Sequence, residues 1–105
     1  MECYRQGDVL LVRIDGGPRS GATVPREDGR IVLAHGEVTG HAHAIVDDAA
    51  ELISGEQADE LFLQVYGDEV ELVHEEHDTI HLRTGCYRVV RQREYSPGEF
   101  RFVAD

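Results

Sequence analysis

The stretch Leu61-Phe62-Leu63-Gln64-Val65-Tyr66-Gly67-Asp68-Glu69-Val70-Glu71-Leu72-Val73-His74 decides the fold class. On both sides of Gly67-Asp68, apolar and polar residues alternate, which is the pattern of half-buried β-strands. A Gly-Asp pair between two such runs is typical of a tight turn. We therefore predict a β-hairpin over residues 61–74, with His74 on the same face as Val70 and Leu72.

Short runs of similar composition continue along the whole chain and are separated by turn-forming residues. They cover residues 8–14, 30–34, 41–46, 52–53, 79–82, 86–91 and 100–103. The runs 79–82 and 86–91 predict a second hairpin around Thr84-Gly85. No stretch keeps a helical period over three turns. The sequence thus predicts a single all-β domain over residues 1–105, an antiparallel barrel or sandwich of short strands, with a mobile loop at 15–29.

Composition and charge exclude several classes of function. The chain has 105 residues, of which 41% are hydrophobic, and its formal net charge is -11. Such an acidic chain is poorly suited to neutralise phosphates, which argues against nucleic acid as a ligand. No apolar run is long enough to span a membrane, and the first residues lack the apolar segment of a signal peptide, so we expect a cytoplasmic protein. In that compartment Cys3 and Cys86 are expected to be free thiols.

Histidines carry the most concentrated chemistry. His41 and His43 are two residues apart on a predicted strand and would point to the same side, while His74 and His77 end another strand with Glu75 and Glu76 between them. Imidazole and carboxylate together are the ligand set of zinc, iron, manganese and nickel sites. We predict a divalent metal site built from His41, His43, His74 and His77. The alternative is that these histidines are polar residues of a sheet face, as we expect for the surface residues His35 and His81.

The spacing around the first histidine pair resembles the first motif of the cupins. It reads Gly36, four residues, His41-Ala42-His43, four residues, Asp48, six residues and Gly55, with aspartate where cupins have glutamate. The resemblance implies a small β-barrel whose inward histidines hold a divalent metal, as in cupin isomerases, dioxygenases, decarboxylases and binding proteins. A second cupin motif is not recognisable, so His74 or His77 would supply its ligand. The segment 36–43 also resembles small uncharacterised bacterial and phage-borne proteins.

Two functions follow from these patterns. In the first, a cupin-like metalloenzyme acts on a small anionic substrate; Glu37 or Glu76 moves the proton, and Arg91 or Arg93 holds the anionic group. In the second, the protein is a non-enzymatic adaptor or assembly module whose histidines are structural and whose edge strands pair with a protein partner. A homo-oligomer is compatible with either.

Overall fold

The computed structural model describes residues 2–17, 21–36, 38–57 and 59–91, and these form strands and turns. The strands are β1 (Cys3–Gln6), β2 (Val9–Ile14), β3 (Ile31–His35), β4 (Ala42–Ile45), β5 (Ala50–Ser54), β6 (Leu61–Leu72) and β7 (Ile80–Arg91). Within these ranges no helix could span a membrane. The prediction of an all-β fold is confirmed, whereas the strand predicted at 100–103 lies outside the described residues.

The strands form two antiparallel sheets. The larger has the order β1-β2-β7-β6-β5, and the smaller consists of β3 and β4. One backbone pair joins them, since the amide of Ala44 donates to Val73 O over 3.0 Å and the amide of Val73 donates to Ala44 O over 2.9 Å. The described strands make a sandwich-like fold and not a closed barrel. Of the two architectures left open by the sequence, the sandwich is therefore the right one, and the expectation of a β-barrel is wrong.

Strands β6 and β7 are longer than predicted, and both predicted hairpins are wrong. Residues 61–72 form one strand, and so do residues 80–91, which pair with each other. Val65 pairs with Gly85 and Glu69 with Arg83, so residues 66–68 bulge opposite a single residue. An inserted bulge shifts the alternation of inward and outward side chains, as a turn does, without reversing the chain. The real reversal is at residues 73–79, where the two histidines of the second cluster lie.

Both sheets contribute to one hydrophobic core. In β6 the buried positions are Leu63 and Val65 before the bulge, then Val70 and Leu72 after it. The buried positions change from odd to even numbers at the bulge. Because the bulge shifts the alternation of the side chains by the same amount, these residues all lie on one face of the strand. The core cluster comprises Val9, Leu11, Ile31, Leu33, Ala34, Ile45, Ala50, Leu52, Leu63, Val65, Val70, Leu72, Leu82, Tyr87 and Val89.

The outer edge of β5 is covered by the segment that precedes β3. The amide of Val24 donates to Leu52 O over 2.8 Å, and the amide of Ser54 donates to Ala22 O over 2.9 Å. Part of the predicted loop 15–29 therefore adds backbone hydrogen bonds to the larger sheet; its mobility stays a prediction. The covered edge has fewer unpaired backbone groups to offer another chain.

Candidate metal centre

The backbone pairing between Ala44 and Val73 brings the two histidine clusters together. His43 lies in β4 and His41 directly precedes it, while His74 and His77 lie in the reversal between β6 and β7. These four histidines line one open cleft of about 300 Å³, together with Gly7, Asp8, Gly36, Val38 and Glu76. The sandwich thus gathers the predicted ligands at one end of the molecule, although whether they bind a metal stays a prediction.

His74 is at the centre of the cluster. Its ring centroid lies 5.8 Å from that of His41, 4.3 Å from that of His43 and 4.7 Å from that of His77. The His43 and His77 rings are stacked, with centroids 5.9 Å apart. Neutral imidazole is the form that binds metal ions, and each of these rings is therefore a candidate ligand.

One set of three donors is compact enough to share an ion. His41, His74 and Glu75 each place a ligand atom within 4.8 Å of the other two. Donor atoms bound tetrahedrally to one zinc ion lie about 3.4 Å apart, given metal–ligand distances of about 2.1 Å. These three residues are therefore the candidate ligands of one ion.

Glu75 is held as a carboxylate beside these histidines. Its Oε1 accepts the Ala42 amide over 2.9 Å, a bond between the turn and the start of β4. This backbone hydrogen bond lowers the pKa of the Glu75 carboxyl below its ordinary value, and the nearby His41 and His74 lower it further. The sequence prediction did not include Glu75, and its position between two candidate ligands was the only signal for it.

The His41 ring contains an unsatisfied nitrogen. Its Nδ1 lies 2.7 Å from Oε2 of Glu76. The pair is close enough for an ion pair, yet this Nδ1 is buried and has no hydrogen-bond partner among the described residues. Buried polar nitrogens are rarely left without a partner, and a missing ion is one of the reasons for an exception. This nitrogen is therefore a candidate metal ligand.

His43 is the most deeply buried of the four, with 4% of its surface exposed. Its Nδ1 lies 2.8 Å from Oε1 of Gln6, a residue of β1 that is itself buried. His74 has the opposite arrangement, because its Nδ1 accepts the backbone amide of Glu76 over 3.0 Å. A neutral His74 therefore carries its proton on Nε2 in this conformation.

Two glycines allow the backbone to approach the rings. A β-carbon on Gly7 would lie 2.7 Å from Nε2 of His77 and 3.2 Å from Cε1 of His43, and Gly7 also has a positive φ of 55°. A β-carbon on Gly36 would lie 3.3 Å from Nε2 of His74. Both positions thus need a residue without a side chain if the rings are to stay where they are.

The remaining predicted site residues lie elsewhere. Arg91 ends β7 opposite Val9 and is not among the residues that line the cleft. Asp48, considered as a carboxylate ligand, is exposed in the turn before β5. Glu37 and Arg93 lie outside the described residues. His35 and His81 are exposed as expected, with their nearest carboxylates on Glu27 and Glu69.

Comparison with protein families gives one match, to a family described as Domain of unknown function (DUF8820), over residues 5–92. The chain belongs to this family. No curated protein and no solved structure matched it. The four histidines, Glu75, Glu76 and Gln6 all lie inside the DUF8820 segment, whereas Arg93 lies just beyond it. Membership of DUF8820 brings no activity with it, and the likeness to cupins stays a prediction.

Proposed function

We propose that this protein binds a divalent metal ion in the histidine cleft. The observation that carries the proposal is the group of His41, His74 and Glu75, whose donor atoms lie within 4.8 Å of one another. The partnerless Nδ1 of His41 adds to it, because an ion would satisfy that nitrogen.

The donor set indicates which ions would be preferred. Imidazole nitrogens with one or two carboxylates suit zinc, iron, manganese or nickel, whereas calcium and magnesium prefer oxygen ligands alone. The net charge of -11 and the carboxylates of Asp8 and Glu76 at the cleft favour a cation over an anion. We therefore expect a borderline transition metal and not an alkaline-earth ion.

The openness of the cleft supports a catalytic form of this proposal. A metal site open to solvent keeps a position for water or a substrate, whereas structural zinc sites are closed by four protein ligands. A bound ion would activate water or polarise a carbonyl oxygen, and the Glu76 carboxylate, which lines the cleft, would take the proton. The residues described around the cleft include no arginine, so the predicted role of Arg91 in holding an anionic substrate is not part of this proposal.

Metal analysis of the untagged protein tests the proposal. The protein is stripped with a chelator and unfolded by heat with and without added Zn²⁺, Mn²⁺, Ni²⁺ or Mg²⁺. An ion present at a hundred times its dissociation constant stabilises the folded state by about 2.7 kcal/mol. We expect a clear rise in Tm with Zn²⁺ or Ni²⁺ and none with Mg²⁺. No stabilisation by any of the transition metals would contradict the proposal.

A further inference from the structure

Gln6 and His43 are the two buried polar side chains of the described core, 3% and 4% exposed, and they bond to each other. Burying polar groups is unfavourable unless their hydrogen bonds are satisfied. An apolar pair of similar size would avoid that cost. Their presence in the core therefore points to a role beyond packing.

The hydrogen bonds of Gln6 fix the orientation of its amide. Its Nε2 donates to Leu72 O over 3.0 Å and to Asp78 O over 2.9 Å. Both acceptors are backbone carbonyls, which cannot donate, so the nitrogen of the amide must face them. The Oε1 atom consequently faces His43.

This orientation decides which nitrogen of His43 carries the proton. Oε1 of Gln6 can only accept, so Nδ1 of His43 must donate across the 2.8 Å between them. In the neutral ring the lone pair is then on Nε2. Histidines that bind metals through one nitrogen commonly donate from the other to an oxygen, which fixes both the tautomer and the orientation of the ring.

We propose that Gln6 is a positioning residue of the metal site, which holds the proton of His43 on Nδ1 and so presents Nε2 as a ligand. This inference rests on the proposed function. It makes His43 a further candidate ligand in the cleft, outside the compact group of His41, His74 and Glu75, and it makes β1 part of the site. Gln6 also donates hydrogen bonds to the carbonyls of Leu72 and Asp78, on either side of the 74–77 turn. One side chain therefore contacts both His43 and the backbone that flanks His74 and His77.

The tautomer can be read directly in the metal-free wild-type protein. Long-range ¹H–¹⁵N spectra of the histidine rings distinguish a protonated Nδ1 from a protonated Nε2. We expect His43 to be protonated at Nδ1 and to lack a proton at Nε2. A His43 ring with its proton on Nε2 would overturn the inference, whatever the protein binds.

The Zn²⁺ affinities of Gln6 variants show whether Gln6 positions His43 or only stabilises the fold. Gln6→Leu removes the acceptor, and we expect the affinity for Zn²⁺ to fall about 10–100-fold. Gln64→Leu is the control, because it removes a glutamine-to-backbone hydrogen bond to Gly85 O away from the cleft, and it should leave the affinity unchanged. Gln6→Glu retains an acceptor for Nδ1–H but lacks the two amide donors, so it should recover part of the affinity while remaining less stable than the wild type.

The outcomes distinguish this inference from the proposed function. Equal losses of affinity in Gln6→Leu and Gln6→Glu would mean that Gln6 acts only through the fold, which would overturn its positioning role. A wild-type protein that binds no transition metal would contradict the proposed function itself, and the ring spectra would still report the tautomer.

Discussion

Nδ1 of His41 and Oε2 of Glu76 lie 2.7 Å apart without forming a hydrogen bond, although the nitrogen is buried. If the nitrogen held a proton, a short, well-directed bond to the carboxylate would be the favourable arrangement. The observed contact lacks that direction, and the buried nitrogen has no hydrogen-bond partner among the described residues. A cation bound at Nδ1 would satisfy this nitrogen.

Metal binding should break the hydrogen bond between the Glu76 amide and His74. If an ion binds Nδ1 of His74, it displaces the amide; if it binds Nε2, the proton of the neutral ring moves to Nδ1, which can then no longer accept. We expect the Glu76 amide to show one of the largest shifts in a ¹H–¹⁵N spectrum on addition of Zn²⁺. An unchanged Glu76 amide, with ion binding established, would remove His74 from the ligand set.

Gly7→Ala should displace His77 and weaken metal binding. The added methyl would lie 2.7 Å from Nε2 of His77, in a backbone with a φ of 55°. Gly29→Ala is the matched control, since Gly29 has a φ of 80° but nothing within 4 Å of its β-carbon position. Both variants should lose about 1 kcal/mol of stability from backbone strain. Only Gly7→Ala should also lower the affinity for Zn²⁺, and equal affinities in the two variants would contradict a role for the His43 and His77 rings that the methyl would meet.

The loss of folding stability on replacement of Glu75 should depend on pH. Folding lowers the pKa of this carboxyl, so its contribution to stability is complete above the ordinary carboxyl pKa and is lost as the pH falls through the lowered value. Glu75→Gln should therefore be less stable than the wild type at neutral pH, and the difference should shrink in acid. Urea unfolding at several pH values measures this. Glu71→Gln, at an exposed position on β6, provides the control, and a difference that grows in acid would contradict the assignment.

The two cysteines should differ in reactivity. Cys86 is 2% exposed, and burial raises the pKa of its thiol, whereas Cys3 is exposed on β1. Thiol reagents attack the thiolate, so a buried thiol with a raised pKa reacts slowly. We expect one thiol per chain to react rapidly in the folded protein and both after unfolding. Rapid modification of Cys86 in a Cys3→Ser variant would show that the strand is not packed as described.

The fold class and the first histidine pair could be predicted because both follow from alternation. Period-two patterning identifies strands, and residues two apart on a strand share a face. The same alternation misled at Gly67 and Gly85, because a bulge and a turn both shift its phase. Local sequence does not distinguish them; the pairing of β6 with β7 over their whole length does.

The rest of the site depends on contacts between distant segments. Gln6 meets His43 across 37 positions of the chain, and its donors reach Leu72 and Asp78. Nothing around Gln6 in the sequence marks it, because an isolated polar residue in a strand is usually solvent-facing. Glu75 and Glu76 are equally uninformative in sequence, since acidic residues in a turn are mostly solvated. Only the pairing of Ala44 with Val73 brings these groups to one cleft.

Metal binding by His41 and His74 is measured by calorimetric titration of the untagged, metal-free protein with Zn²⁺. The wild type is compared with His41→Ala/His74→Ala and with His35→Ala/His81→Ala. Both double variants lose two histidines, but His35 and His81 are exposed and lie outside the cleft. We expect one ion per chain for the wild type and for His35→Ala/His81→Ala. For His41→Ala/His74→Ala we expect no saturable binding, with the fold retained. Binding that is absent from the wild type, or that survives the loss of His41 and His74 unchanged, would contradict metal binding by these two residues.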